Sequence, residues 1–187
     1  MCGPPAAAYT AGVRHTIEHV FDTSPERLWE VFFFDEAYAR GLYERMRIRV
    51  EHRELQHEGA GDHRIVRRKL HLVPDRELPP ALRRLFSGAS TVKETGEFNA
   101  ALRRYSVRIE LPVIGAMVDY GGDYTWETLP SGQVRRIWSG RCEARIPLVG
   151  GKLEAYLLGE LERSLAENAV YTRQYLREHP QAEPVTP

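Results

Sequence analysis

Three features are scarce in this sequence: cysteine, long apolar runs and an excess of charge of one sign. The 187 residues include two cysteines, Cys2 and Cys142. These form neither a CxxC pair nor a disulfide framework, so a cytoplasmic location is the default expectation. No apolar run approaches the roughly 20 residues of a membrane-spanning helix. The N terminus also lacks the charged and apolar regions of a secretory signal.

The charge balance argues against a nucleic-acid-binding protein. Lys and Arg number 26, and Asp and Glu number 26, whereas nucleic-acid-binding domains usually carry a basic excess. Arginine occurs in neighbouring pairs such as Arg67-Arg68 and Arg135-Arg136. Adjacent residues of a strand point to opposite faces of a sheet, so we interpret these pairs as part of a solvated, ion-paired sheet surface. We expect no nucleic-acid partner, and the sequence leaves the oligomeric state open.

Short catalytic and metal-binding motifs are absent as well. The sequence contains no HExxH, GxSxG, Walker or GxGxxG pattern, which are the usual marks of zinc, nucleophile and nucleotide sites. His15 and His19 share one strand face, but four residues of strand separate them by about 13 Å. They cannot share a metal ion, and we predict neither a metal nor a cofactor. Cys142 falls on an apolar strand face, where cysteine is usually an inert small hydrophobe.

The sequence opens with a strand pattern followed by two helix signals. Apolar residues make up 42% of the chain, enough for one domain with a sizeable core. Apolar and polar residues alternate over Val13–Phe21, which predicts a strand with one buried face. A helix then begins, capped by Thr23 or Ser24. Asp35 can cap a second short helix.

The middle of the chain has the pattern of a strand meander. Glycine- and proline-containing turns separate short runs of β-forming residues, which predicts an antiparallel sheet. Glu77–Phe86, with two prolines near its start, predicts a short helix within the meander. The predicted strands are Ile48–Gln56, Asp62–Val73, Thr91–Ala100, Tyr105–Leu111, Met117–Thr128 and Val134–Ile146.

A long helix completes the predicted domain. Leucines recur at i+3 and i+4 spacing through Lys152–Arg177, as in an amphipathic helix, and Pro180 follows as a stop signal. About 26 helical residues span about 39 Å. The sequence therefore predicts one α+β domain over residues 12–178. Residues 1–11 and 179–187 are expected to be a disordered lead and tail.

Three segments resemble a known group of proteins. Ile146–Leu176, Phe32–Met46 and Leu78–Gly88 resemble a bacterial family of unknown function within the START-like (SRPBCC) superfamily. The resemblance implies a helix-grip fold, with a curved seven-stranded antiparallel sheet wrapped around the long C-terminal helix and two short helices after the first strand. It also implies a ligand pocket between sheet and helix. Folds of this kind host unrelated functions, so the resemblance implies no particular reaction.

Glycines on apolar strand faces support a pocket independently. Gly96, Gly122 and Gly140 fall mid-strand at apolar positions, where glycine adds no packing and lets a strand bend. Either they leave a cavity under the helix, or they only accommodate curvature and close helix contact. The aromatic residues around them either frame a ligand or form an ordinary core. The candidate ligand-binding residues are Phe98, Tyr105, Val107, Ile109, Tyr120, Gly122, Tyr124, Trp126, Trp138, Leu157, Leu161 and Leu165, with Arg68 and Glu94.

Five polar residues fall on strand faces that are otherwise apolar: His52, Glu54, Arg68, Glu94 and Arg136. A buried charge is costly unless it is paired. These residues therefore form a ligand-orienting cluster, or lie at an open rim, or the assumed register is wrong by one residue. A slip of one residue turns every side chain to the other face. In an enzyme, His52 and Glu54 would be the candidate acid and base.

The connection between the fifth and sixth predicted strands is apolar throughout. It contains Pro112, Val113, Ile114, Gly115 and Met117. Pro112 ends the strand ladder and Gly115 can act as a hinge. We predict an entry loop that covers and opens the pocket, as the START-like resemblance also implies. Its apolar side chains could then make transient contact with a membrane. The alternative is a loop packed against the C-terminal helix as ordinary core.

Binding without chemistry is the function that these features favour. The predicted ligand is a hydrophobic small molecule, lipid-like or sterol-like, held between sheet and helix for carriage or sensing. The START-like resemblance keeps two alternatives open. One is a cyclase- or aromatase-type enzyme acting on a hydrophobic substrate, and the other is a protein-interaction module.

Overall fold

The computed structural model describes residues 14–86 and 91–180. The predicted lead, residues 1–11, lies outside this part of the chain, as does the predicted tail apart from His179 and Pro180. Cys2 lies outside it too.

Within the described residues, seven strands form one antiparallel sheet in the order β1-β7-β6-β5-β4-β3-β2. Strands β2 to β7 follow one another as a meander, and β1 pairs with β7, so that His15 lies opposite Gly140 and Phe21 opposite Val134. The strands are β1 (His15–Phe21), β2 (Ile48–Glu58), β3 (Ile65–Pro74), β4 (Val92–Asn99), β5 (Arg104–Glu110), β6 (Val118–Thr128) and β7 (Val134–Ala144). The predicted seven-stranded antiparallel sheet is confirmed.

Two short helices connect β1 to β2, as predicted. Helix α1 (Pro25–Phe34) begins at Ser24, whose side chain accepts a hydrogen bond from the Arg27 backbone N at 3.2 Å. Helix α2 (Glu36–Arg45) begins at Asp35, whose carboxylate accepts from the Tyr38 backbone N at 2.9 Å. The sequence offered Thr23 and Ser24 as caps for α1, and Ser24 is the one used. This places Pro25 at the first helical position, where the backbone N–H that proline lacks would have no partner within the helix.

Helix α4 (Gly150–Glu178) contains 29 residues and lies across the inner face of the sheet. Its buried stripe includes Leu153, Leu157, Leu161, Leu165 and Ala169, at the spacing that places side chains on one helix face. The helix begins two residues before the predicted start. A Cβ atom at Gly150 would lie 2.3 Å from the Ala144 carbonyl oxygen, so only glycine permits this close approach of helix to strand.

Several predicted boundaries shift, and two elements show the local reasons. The segment Gly61–His63 forms a 3-10 turn, and β3 therefore begins at Ile65 instead of Asp62. Helix α3 covers only Pro80–Arg83, followed by a 3-10 turn over Arg84–Phe86. Consecutive prolines explain the late start of α3, because the residue before a proline is disfavoured in the helical region.

The core divides into two main clusters along the length of α4. The first lies under the N-terminal half of the helix and includes Leu111, Tyr120, Trp138, Leu157 and Leu161. The second packs under α1 at the other end of the sheet, with Phe21, Phe33, Phe98, Tyr105 and Trp126 among its members. The packing of the first cluster and of α2 against the sheet leaves the space described next.

Candidate functional site

A cavity of about 590 Å³ lies between the inner face of the sheet, α2 and α4. Its volume falls within the roughly 300–1,000 Å³ of ordinary small-molecule sites. Most lining side chains are apolar or aromatic, and the polar ones are concentrated on a few strands and on α4. The cavity occupies the place in the fold where the sequence predicted a pocket.

Most of the predicted ligand-binding residues lie on the cavity wall. They come from five strands, β3 to β7, and from the buried stripe of α4, where strand alternation and helical spacing turn them inward. These residues are Arg68, Glu94, Val107, Ile109, Tyr120, Gly122, Tyr124, Trp138, Leu157, Leu161 and Leu165.

Phe98, Tyr105 and Trp126 were predicted to bind the ligand, but the cavity wall does not include them. They face inward as expected, and α1 covers them. Trp29 of α1 lies with its ring centroid 3.9 Å from that of Phe98 and 3.6 Å from that of Trp126. The aromatic residues therefore separate into a packed core under α1 and a cavity wall under α4. The apolar stripe of α1 requires a buried surface, but it does not indicate which aromatic residues of the sheet the helix covers.

The mid-strand glycines create room for aromatic rings. A Cβ at Gly96 would lie 2.1 Å from the Tyr105 hydroxyl oxygen, and one at Gly140 would lie 2.3 Å from the Trp138 ring. A Cβ at Gly122 would lie 2.9 Å from the same Trp138 ring. The rings of Tyr105 and Trp138 thus pack closely against bare backbone. Close contact explains these glycines.

A buried ion pair forms part of the cavity wall. Arg68 of β3 donates from Nη2 to the Glu94 carboxylate of β4 at 2.7 Å, and from Nε to the Tyr105 hydroxyl at 3.1 Å. Its guanidinium lies 4.8 Å from the centre of the Phe32 ring. Burial alone would lower the pKa of Arg68, but Tyr105 and Glu94 beside it raise that pKa well above its usual value. Arg68 is therefore a permanent cation on the wall, with Glu94 as its counter-ion.

Several polar residues on the wall were absent from the predicted set. Tyr43 of α2 is one, and burial raises the pKa of its hydroxyl. Arg53 of β2 is another, and its Nη2 donates to the Phe33 carbonyl oxygen at 3.0 Å. Arg76, just after β3, pairs with Glu160 of α4. The apolar stripe on α2 predicted which face of that helix is buried. The inward position of Arg53, in contrast, depends on an irregularity in β2.

That irregularity removes the predicted acid–base pair from the cavity. A register shift between Val50 and His52, of the kind that a β-bulge produces, reverses the alternation beyond it. The His52 and Glu54 side chains are 49% and 34% exposed, and the cavity wall includes neither. Arg53 takes the inward position instead. The prediction that His52 and Glu54 face inward is therefore wrong, whereas Arg68, Glu94 and Arg136 do face inward.

The predicted entry loop divides into buried and exposed residues. Pro112 lines the cavity, and Ile114 is buried in the first core cluster. Val113 is 71% exposed and Met117 is 41% exposed. Val113 also has a φ of 67°, which is rare for a β-branched residue. Ile114 thus packs as core, whereas Val113 and Met117 lie at the surface, and an entry role for this loop stays a prediction.

Cys142 is buried on β7 in the first core cluster. Burial raises the pKa of its thiol to about 12, with Glu154 and Asp119 adding to the effect. The thiol therefore stays protonated at neutral pH, in keeping with a small core side chain.

No group of three or more His, Cys, Asp or Glu side chains that could hold a metal ion occurs in residues 14–86 and 91–180. Over the same residues, no helix combines the length and apolarity needed to cross a membrane.

Residues 16–176 match the family described as "Protein of unknown function (DUF2505)". The chain belongs to this family. The match covers the whole sheet except one residue of β1, and it includes every residue of the cavity wall. No curated protein matches the DUF2505 sequence.

Solved structures similar to this DUF2505 chain show its fold. The protein TTHA0849 of Thermus thermophilus has 15% identity and a TM-score of 0.57, and the match covers 90% of this chain and all of that one. An aromatase/cyclase, Zhui, from a Streptomyces species has 17% identity and a TM-score of 0.54, over 90% and 98% of the two chains. Norcoclaurine synthase from Thalictrum flavum has 17% identity and a TM-score of 0.53, over 96% and 99%. The DUF2505 chain has the helix-grip fold.

Proposed function

We propose that this DUF2505 chain binds a hydrophobic small molecule, lipid-like or sterol-like, in the cavity between the sheet and α4. The observation that carries the proposal is an apolar, aromatic-lined space of about 590 Å³ that the side chains around it leave unfilled. Protein interiors are normally close-packed, and an apolar cavity of this size suits a ligand better than water. Carriage or sensing needs only this binding.

The polar groups of the wall would fix the orientation of the ligand. Arg68 and Glu94 form one neighbouring donor and acceptor on an otherwise apolar surface. A ligand with an apolar body and one polar end would place that end beside this pair. Val107, Ile109, Tyr120 and the inward leucines of α4 would contact its body.

The loop from Pro112 to Met117 would be the route of entry. Pro112 lines the cavity while Val113 and Met117 are exposed, so one short segment connects the ligand site to the surface. Exposed apolar side chains at such a place suit transient contact with a membrane or a donor protein.

A cavity-filling substitution tests the proposal. Leu161→Trp adds a bulky ring on the cavity wall, and Val170→Trp adds the same ring at a half-exposed position of α4. We expect Leu161→Trp to lower affinity for a hydrophobic fluorescent probe at least tenfold. Val170→Trp should bind the probe with the affinity of the wild type. Equal affinity in both variants would mean that the probe binds elsewhere. Substituting Gly122 is not a clean test, because any side chain there would collide with the Gly140 backbone at 2.7 Å.

A second candidate function is catalysis on the bound molecule. The observation that favours it is the Glu94 carboxylate on the cavity wall, with Arg68 and Tyr43 nearby. A carboxylate and a tyrosine facing one cavity are suitable acid–base groups. Two proteins of similar fold are named as an aromatase/cyclase and a synthase.

Ligands extracted from cells separate the two candidates. Wild-type and Glu94→Gln proteins expressed in the same cells would retain the same molecule if the chain is a carrier. An enzyme that uses Glu94 would retain product in the wild type and unconverted substrate in the variant. Identical extracted masses would contradict the catalytic role of Glu94.

A further inference from the structure

The polar wall of the cavity carries more positive than negative charge. Among the described residues, three arginines and two glutamates line it. Arg68 pairs with Glu94, and Arg76 pairs with Glu160. Arg53 donates to a backbone carbonyl oxygen, that of Phe33. The wall therefore has one cation, Arg53, without a carboxylate partner in the described part of the chain.

A second uncompensated cation lies directly behind the wall. Arg136 of β7 is 3% exposed, and its Nη1 donates to Asn168 Oδ1 at 2.7 Å. Its Nη2 is buried, and in the described structure it has no hydrogen-bond partner. A buried charge without a counter-ion strongly destabilises the free protein. A neutral side chain of similar size would pack there without that cost.

Among residues 14–86 and 91–180, no carboxylate pairs with Arg136. Its guanidinium lies 4.9 Å from the centre of the Phe21 ring and 5.7 Å from that of Tyr124. His19 lies opposite it in the β1–β7 pairing. Burial, together with Arg136 and Arg173, lowers the pKa of His19 to about 4, so this histidine is neutral at pH 7.

Asn168 and Tyr124 connect Arg136 to the cavity, since both side chains line it. Arg136 occupies Asn168 Oδ1, and the Asn168 side chain also hydrogen-bonds to the Tyr38 hydroxyl on the same wall. Tyr124 stacks on Tyr105 at 6.0 Å, and the Tyr105 hydroxyl accepts from Arg68. Arg136 and Arg68 thus approach the same end of the cavity from two sides. We call Arg53, Arg68 and Arg136 the cationic end.

We propose that the ligand of this cavity is an amphipathic acid, whose ionised carboxylate lies at the cationic end and whose apolar body fills the rest. The inference rests on the proposed function of the cavity and names the chemical class of its ligand. Arg53 and Arg68 would contact the carboxylate directly. Arg136 is a positioning residue, which acts through Asn168 and through its charge.

Two matched probes test this on the full chain. Dodecanoate and 1-dodecanol have the same apolar body and differ in charge. We expect the wild-type protein to bind dodecanoate at least tenfold more tightly than 1-dodecanol by titration calorimetry. Equal or weaker binding of dodecanoate would overturn the inference while leaving hydrophobic binding intact. Binding of neither probe would contradict the proposed function itself, and this inference with it.

Substitution of Arg136 separates a ligand role from a structural one. Arg136→Met should lower dodecanoate affinity at least tenfold, leave 1-dodecanol affinity unchanged and not lower the melting temperature of the free protein. Arg136→Lys, which keeps the charge, should retain most of the preference for the acid. Arg135→Met is the matched control, because Arg135 is the neighbouring residue and pairs with Glu18 and Glu127 on the outer face. It should change neither affinity.

A second variant keeps the test decisive if Arg136→Met does not fold. Arg53→Gln changes a residue on the cavity wall and should also reduce dodecanoate affinity severalfold without affecting 1-dodecanol. A preference for the acid that survives both Arg53→Gln and Arg136→Met would overturn the proposal.

Discussion

Glu94 stabilises the fold because two buried donors share its carboxylate. Its Oε1 accepts from Arg68 at 2.7 Å and from the Tyr105 hydroxyl at 3.3 Å. Glu94→Leu would leave the Arg68 charge unpaired on the wall, and we expect a loss of about 3 kcal/mol in the free energy of unfolding. Glu97 on the outer face of the same strand pairs with Arg67, and both side chains are half-exposed. Glu97→Leu should cost clearly less, because an exposed ion pair contributes little to stability. Urea unfolding that shows equal losses for the two variants would contradict this account of the wall.

His19 makes the stability of the protein depend on pH. Its folded-state pKa is about 4 against 6.5 for the ordinary side chain, because of burial and then of Arg136 and Arg173. Between these two values the unfolded chain binds a proton that the folded chain does not, so stability falls as pH drops from about 6.5 towards 4. We expect the melting temperature of the wild type to fall more between pH 7.5 and 5 than that of His19→Gln. Identical changes in the two proteins would show that His19 titrates normally.

At the scale of elements, the loop between β5 and β6 is best tested at its exposed residues. Val113→Asp with Met117→Asp changes side chains that are 71% and 41% exposed. Ile114, in contrast, is 3% exposed, and its substitution would damage the core. We expect the double variant to keep its melting temperature but to bind liposomes more weakly and take up the fluorescent probe more slowly.

The control for this loop lies at the other end of the sheet. Leu102 is 57% exposed in the turn between β4 and β5. In a meander this turn and the β5–β6 loop lie at opposite ends of the strands. Leu102→Asp should alter neither liposome binding nor probe uptake. An equal effect of both substitutions would indicate general surface hydrophobicity instead of a specific entry loop.

Regular elements could be predicted from the sequence, and irregular ones could not. The inward positions of Arg68 and Glu94 follow from alternation, because β3 and β4 pair without interruption. His52 and Glu54 were placed on the wrong face because the shift in β2 breaks that alternation. No residue type in Val50–His52 marks the break, since a bulge is selected by the fit of the whole strand to its neighbour.

The division of the aromatic residues was also beyond local patterns. Tyr105 and Tyr124 both face inward and stack 6.0 Å apart, yet only Tyr124 lines the cavity. What separates them is the position of α1, whose Trp29 and Phe33 fill the space at one end. That position depends on tertiary packing, which no single strand or helix pattern contains.

At the scale of the whole molecule, element order together with the START-like resemblance predicted the architecture. A strand, two short helices, a meander and a 29-residue final helix have few ways to bury their apolar faces together. The helix must cross the sheet because its leucine stripe needs an apolar surface of similar length. The size of the remaining cavity could not be predicted, since it is a small difference between large packed volumes.

Native mass spectrometry tests most directly whether this cavity holds a hydrophobic ligand. The purified chain would be measured under gentle conditions, before and after incubation with dodecanoate, alongside Leu161→Trp and Val170→Trp. We predict that wild type and Val170→Trp carry one small molecule per chain, from the cells or from the added probe, and that Leu161→Trp carries much less. Spectra that show only the bare chain mass for the wild type after incubation, or equal loading of all three proteins, would contradict the account.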